Sequence, residues 1–146
     1  MIQRIQSIYL FFAAVAGFGV LALPLANTAQ MVATSSLFSD SAFTVSDNIG
    51  ILVLFALAGA LAIATIFLFK NRLLQLKIGK LALGADILGV LLAGVLFWQD
   101  STNVNTVPIS GGVGAFLPLL FLVLTALALR AIKKDESLVR SADRLR

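Results

Sequence analysis

Apolar residues gather along this 146-residue chain into four long runs separated by polar segments. An α-helix rises about 1.5 Å per residue, so about 20 apolar residues cross the hydrocarbon of a bilayer. The runs predict spanning helices over 5–25, 49–69, 76–98 and 113–131, followed by a tail over 132–146. Pro24 marks the end of the first run, and Pro118 falls in the first turns of the fourth, where proline is tolerated. Only residues 70–75 separate the second run from the third, so those two helices form an antiparallel hairpin. The first run is too long for the apolar region of a signal peptide, about 7–15 residues, and is expected to be a retained span.

The segment over 27–48 is rich in serine and threonine and long for a connection between packed helices. Gln30–Phe38 and Ala42–Val45 have strand character on either side of Ser39-Asp40-Ser41, and Asn103–Ile109 offers a third extended piece. The expectation is a small cap over one end of the helices, formed by a short β-hairpin or by irregular loops.

Charge orients this arrangement. Arg4 precedes the first run. Lys70, Arg72, Lys77 and Lys80 lie at the connection between the second and third runs. Arg130, Lys133, Lys134, Arg140, Arg144 and Arg146 end the chain, and these groups account for all eleven basic residues. The other two connections hold Asp40, Asp47 and Asp100 and no lysine or arginine. Cytoplasmic loops carry the excess of Lys and Arg, so both termini are expected in the cytoplasm and the acidic loops outside. Tyr9 and Trp98 suit the interfacial aromatic belts.

Composition narrows the chemistry. The chain is 60% hydrophobic and 12% charged, against about 25% charged in soluble domains. Its net charge of +4 flanks the apolar runs and so faces anionic headgroups; no nucleic-acid partner is expected. There is no cysteine and no histidine. Disulfides, thiolate or imidazole metal sites, a cysteine nucleophile and a histidine base are all excluded. No metal, cofactor or catalytic set is expected, and the chain reads as a non-enzyme.

Helices in lipid associate through small residues that allow close approach. Such residues align as Gln6, Ala13 and Gly17 on the first span and as Ala82, Asp86, Gly89 and Ala93 on the third. On the fourth they align as Gly114, Pro118, Thr125 and Ala128. The second span has two small faces, Ala56-Ala60-Ala64 and Ala58-Ala62-Thr65, which predicts a central position. The glycines over 111–114 read as a flexible lead into the fourth span, since a phosphate loop would need a following Lys and Ser/Thr.

Asp86 is the one acidic residue inside a span. A charge at mid-membrane costs about 2.5–3.5 kcal/mol on insertion scales. Its own helix offers no partner, so one is expected from Gln6, Tyr9, Thr65 or Thr125, or from Arg4 reaching inward. Asp86 then serves as a hydrogen-bonding staple between helices or as a proton- or ion-handling carboxylate. The staple is favoured, because ion pathways usually use several intramembrane charges. In the tail, Glu136 and Arg140 stand at helical pairing distance, and Leu138, Ala142 and Leu145 share a face. The tail is therefore expected to extend span four or to lie in the interface.

The opening Met1-Ile2-Gln3-Arg4-Ile5-Gln6-Ser7-Ile8-Tyr9-Leu10 and the ending Asp135-Glu136-Ser137-Leu138-Val139-Arg140-Ser141-Ala142-Asp143-Arg144-Leu145-Arg146 resemble an uncharacterised family of small four-span inner-membrane proteins, mainly of Bacteroidota (domain of unknown function 4293). The resemblance implies a four-helix bacterial inner-membrane protein and brings no activity, ligand or catalytic residue with it. It directs attention to the cytoplasmic ends, where Arg4 is expected to meet the tail at Arg140, Asp143 and Arg144, with Asp143 as its partner.

The fold class expected is an all-α membrane protein. It is a single four-helix antiparallel transmembrane bundle, N-in and C-in, with a small extracytoplasmic cap. The function expected is an accessory or scaffold subunit that binds membrane lipids, other membrane proteins or itself. The alternative is a small transporter or channel that uses Asp86.

Overall fold

The computed structural model describes residues 3–104 and 107–143; of residues 3, 4, 103, 140, 142 and 143 it describes the backbone alone. Among the described residues there are four α-helices: α1 (Gln3–Gly19), α2 (Ile49–Phe67), α3 (Arg72–Ser101) and α4 (Phe116–Asp143). Three short strands, β1 (Ala26–Thr28), β2 (Ala42–Phe43) and β3 (Ile109–Gly111), form one antiparallel sheet in the order β2-β1-β3. Short 3₁₀ turns at Val45–Asp47, Thr102–Val104 and Val113–Ala115 join sheet to helices.

Segments of α2, α3 and α4 are long and apolar enough to cross a membrane. The 17 residues of α1 reach about 25 Å, short of a hydrocarbon core about 30 Å thick. The first run was expected to stay helical to residue 25 and stops at Gly19 instead. The amides of Leu21 and Ala22 switch to the carbonyls three residues back, at 3.1 Å each. Pro24 then holds its predecessor away from helical geometry, and the chain enters β1. Local capping sets the other ends. The Asn48 side chain accepts from the Gly50 amide and opens α2, and Asn71 accepts from the Leu74 amide and opens α3. With Asn71 as cap, α3 begins four residues before the expected Leu76. At the far end α4 runs on through the tail, as one of the two readings of that segment expected.

Each helix packs against two neighbours, α1 on α2 and α4, and α3 on α2 and α4. The registers run antiparallel. A Cβ built on Gly79 would meet Thr65, and one on Gly89 would meet Phe55, so positions along α3 rise as those along α2 fall. The Ala58, Ala62 and Thr65 face of α2 is buried. Ala60, from the opposite small face, is exposed, so α2 is no more central than its neighbours.

The middle of the molecule is an alanine-rich seam of Ala13, Ala16, Ala58, Ala62, Ala82 and Phe121. In contrast, Ile8, Phe11, Val53, Leu88, Leu91 and Val123 project outward from the helices. Such a belt of large apolar side chains is what a helix assembly presents to lipid.

At the sheet end the loops fold into a second core. Phe38, Phe43 and Phe97 contact one another with ring centroids 6.2–6.4 Å apart. Val20, Leu37, Val45 and Ile51 close around them. Ala42–Phe43 lies in the expected second strand, and the second loop joins the sheet. The expected strand over 30–38 is instead a turn whose Phe38 carbonyl accepts from Val32, at 3.0 Å. The place opposite Phe43 belongs to Ala26, directly after the end of the first apolar run.

Candidate functional site

Asp86 lies at the centre of the helices and is fully buried. Among the described residues, neither of its carboxylate oxygens has a hydrogen-bond partner. Thr125 is also fully buried, and its hydroxyl is likewise unpartnered among them. Helix registers fix the relative depths. Gly79 faces both Thr65 and Leu129, and Gly17 faces Phe121. Asp86 is seven residues beyond Gly79, so it lies about 10 Å further toward the sheet than Thr65. Carried across to α4, its level falls near residue 122, within one turn of Thr125.

The expected partners therefore separate. Thr125 shares the depth of Asp86. The Thr65 hydroxyl turns back to the Leu61 carbonyl at 2.7 Å. Tyr9 packs against the cluster of Leu10, Ala128 and Ile132, well toward the basic end. Gln6 lies nearly a turn beyond Tyr9 in the same direction; it is buried, with its amide nitrogen unpartnered among the described residues. Because α3 begins at Arg72 and runs 30 residues, Asp86 falls at the midpoint of the helix.

Toward the basic end, Gln75 is the polar residue that sequence reasoning passed over. Its Nε2 donates to the Thr65 carbonyl at 3.0 Å. Thr65 lies in the last turn of α2, whose carbonyls have no partner within the helix. The short connection after Phe67 brings Gln75 back alongside that turn, which is the signal that could have found it. Arg72 reaches Asp135 on α4, with a salt bridge of 3.1 Å. Lys70, Lys77, Lys80, Arg130, Lys133 and Lys134 are exposed at this end. The side chains of Arg4, Arg140 and Asp143, and all of Arg144, lie outside the described residues, and with them the expected contact between the two chain ends.

The sheet end is built on close approach. The Gly112 amide donates to the Leu25 carbonyl at 2.9 Å and the Gly114 amide to the Pro24 carbonyl at 3.0 Å. A Cβ on Gly112 would come 2.1 Å from the Pro24 oxygen. These glycines are therefore a docking surface for the backbone after α1, and the reading of Gly111 to Gly114 as a flexible lead is corrected at Gly112 and Gly114. Asp100 is buried and gathers the first loop. It accepts from the Ser35 hydroxyl and, at 3.0 Å, from the Leu37 amide. Asp40 and Asp47 are exposed, and Asp47 accepts from the Thr44 amide at 2.6 Å.

The polar groups thus divide among three levels: the sheet end, the Asp86–Thr125 centre and the basic end. No curated protein and no solved structure matches this chain. One family does: its sequence profile, described as Domain of unknown function (DUF4293), matches residues 2–145. With nearly the whole length matched, the chain belongs to the DUF4293 family.

Proposed function

We propose that this chain is a non-enzymatic, four-span bundle of the bacterial inner membrane with both termini in the cytoplasm. Its role is that of an accessory or scaffold subunit that holds other membrane proteins or lipid. The observation that carries the role is the filled centre. Ala13, Ala58, Ala62, Ala82 and Phe121 pack where a transport path would run, all of them buried. The surfaces left for recognition are the apolar flanks and the exposed cations of the basic end. Charge supports the orientation, since the described lysines and arginines lie at the end away from the sheet. In this reading α1 is the fourth crossing, completed by the apolar residues Val20 to Leu23.

One observation favours a second reading, a small transporter or channel. A mid-helix carboxylate without a hydrogen-bond partner among the described residues, level with an unpartnered hydroxyl, is the kind of group that proton and ion pathways use. Purification from native membranes in mild detergent separates the two. The accessory reading expects a membrane partner, or a second copy, at fixed stoichiometry that Asp86→Asn leaves in place. Isolation as a lone monomer, with ion or proton flux into liposomes that Asp86→Asn abolishes, would establish the transporter instead.

A further inference from the structure

Beneath the sheet, between α3 and α4, the side chains leave a cavity of about 410 Å³. That is within the usual range for small-ligand sites, about 300–1,000 Å³. Phe55, Val90 and Phe97 line its inner side, and Ile109, Ser110 and Gly111 of β3 line it at the sheet. Toward the flank the lining residues are small: Gly94 on α3, Ala115 and Pro118 on α4. A Cβ built on Gly94 would meet nothing within 4 Å. A second depression, of about 360 Å³, shares Val90 and Gly94 with the first and continues over α3 to Trp98. Trp98 is 77% exposed, and its neighbours Leu91 and Val95 are exposed as well. The apolar path thus runs from beneath the sheet out onto the flank that faces lipid.

The sheet supplies polarity. β3 is an edge strand, paired only with β1. The Gly112 amide bonds to Leu25, and Ser110 stands opposite Asn27. By the alternation of an antiparallel ladder, the N–H groups of Ile109 and Gly111 then point away from β1, to the open edge. Donors without a partner are costly next to hydrocarbon. An apolar slot with outward-facing amides at its rim, at interfacial depth beside a tryptophan, fits an amphipathic molecule with acceptor oxygens at its head.

We infer that this cavity holds one acyl chain of a membrane glycerophospholipid from the leaflet on the sheet side, with the ester or phosphate oxygens of that lipid against the Ile109 and Gly111 amides. The inference rests on the membrane reading above and narrows its lipid partner to one class and one place. It does not depend on whether a protein partner is captured, so the two can fail separately.

The test uses full-length protein in nanodiscs of phosphatidylethanolamine and phosphatidylglycerol, doped with a phospholipid carrying a diazirine on one acyl chain. After illumination, labelled peptides are located by mass spectrometry. Label should concentrate in residues 90–97 and 109–118. Gly94→Phe should lower it there at least tenfold, with an unchanged or raised melting temperature. Ala115→Leu, which fills the slot from the other wall, should do the same. Gly84→Phe is the control: Gly84 is on the same helix, and a Cβ there also meets nothing within 4 Å; this variant should leave the label in place. Label spread evenly over outward residues such as Leu88 and Val123 would overturn the inference. So would label unchanged by both filling substitutions.

Discussion

The hydroxyl of Ser35, in the first loop, donates to the carboxylate of Asp100, 65 residues later at the end of α3. The same carboxylate accepts from the Leu37 amide, and the Ser35 oxygen in turn accepts from the Phe38 amide at 2.8 Å. One buried acid thereby fixes the turn that places Phe38 against Phe43 and Phe97. Hydrogen bonds to a charged group contribute about 1.5–3 kcal/mol. Asp100→Ala should destabilise the cap by about that amount. Amide exchange at Leu37 and Phe38 should accelerate at least tenfold, while the centres of α2 and α3 stay protected. Unchanged exchange at those two amides would remove Asp100 from this role.

Two adjacent glycines should respond in opposite ways. The Cβ of Gly112→Ala would lie 2.1 Å from the Pro24 oxygen, whereas that of Gly111→Ala would meet nothing within 4 Å. Overpacking costs about 1–3 kcal/mol and rises when backbone must move. Gly112→Ala should lower the unfolding midpoint in detergent by at least that equivalent, and Gly111→Ala should leave it nearly unchanged. Equal effects would mean that the strand after α1 does not dock on these glycines.

Much of this architecture was legible in the chain, and the reasons are physical. Apolar runs as long as a bilayer is thick specify the long helices, and residues such as Lys70 and Arg72 punctuate them. The staple reading of Asp86 rested on its being the one acidic residue inside a span, where ion pathways usually use several charges, and its partner had to come from another helix. Asp86 falls mid-helix with either the expected or the observed bounds of α3; what separates it from Gln6, Tyr9 and Thr65 is the register between helices, set by contacts such as Gly79 with Thr65 and Leu129. The cap was harder still. Its pairings, Ala26 with Phe43 and with Gly111, join segments far apart in sequence, and β2 is only two residues long. Strand propensity favoured 30–38 on local grounds, but the Asp100 carboxylate turns that segment into a loop. Gly112 looked like flexibility because a glycine required by a close neighbour reads the same in sequence as one required by nothing.

Asp86 invites a direct measurement. Its carboxylate is fully buried, without a hydrogen-bond partner among the described residues. Replacing a buried group of this kind by an uncharged one of similar volume is neutral or stabilising. Asp86→Asn should therefore match the wild type or exceed it by about 1–2 kcal/mol in denaturant titrations, and Thr125→Val should be similarly tolerated. A loss of more than about 1 kcal/mol in Asp86→Asn would reveal a partner and support the staple reading.

The Arg72–Asp135 pair is half-buried, with 26% and 15% of its side chains exposed. Ion pairs so placed couple weakly, by about 0.5–1 kcal/mol. A double-mutant cycle with Arg72→Ala and Asp135→Ala should give a coupling of that size, falling with added salt. Zero coupling at low salt would mean that α3 and α4 are held at this end by packing alone.

The way the chain threads the bilayer is tested most directly by single-cysteine labelling in intact cells, for which the absence of native cysteine makes the chain well suited. A membrane-impermeant maleimide should modify Ser36→Cys. It should reach Ile5→Cys, Lys77→Cys and Lys134→Cys only after the inner membrane is permeabilised. Labelling of Ile5→Cys from outside would mean that α1 does not cross. Shielding of Ser36→Cys with exposure of Lys77→Cys would invert the orientation altogether.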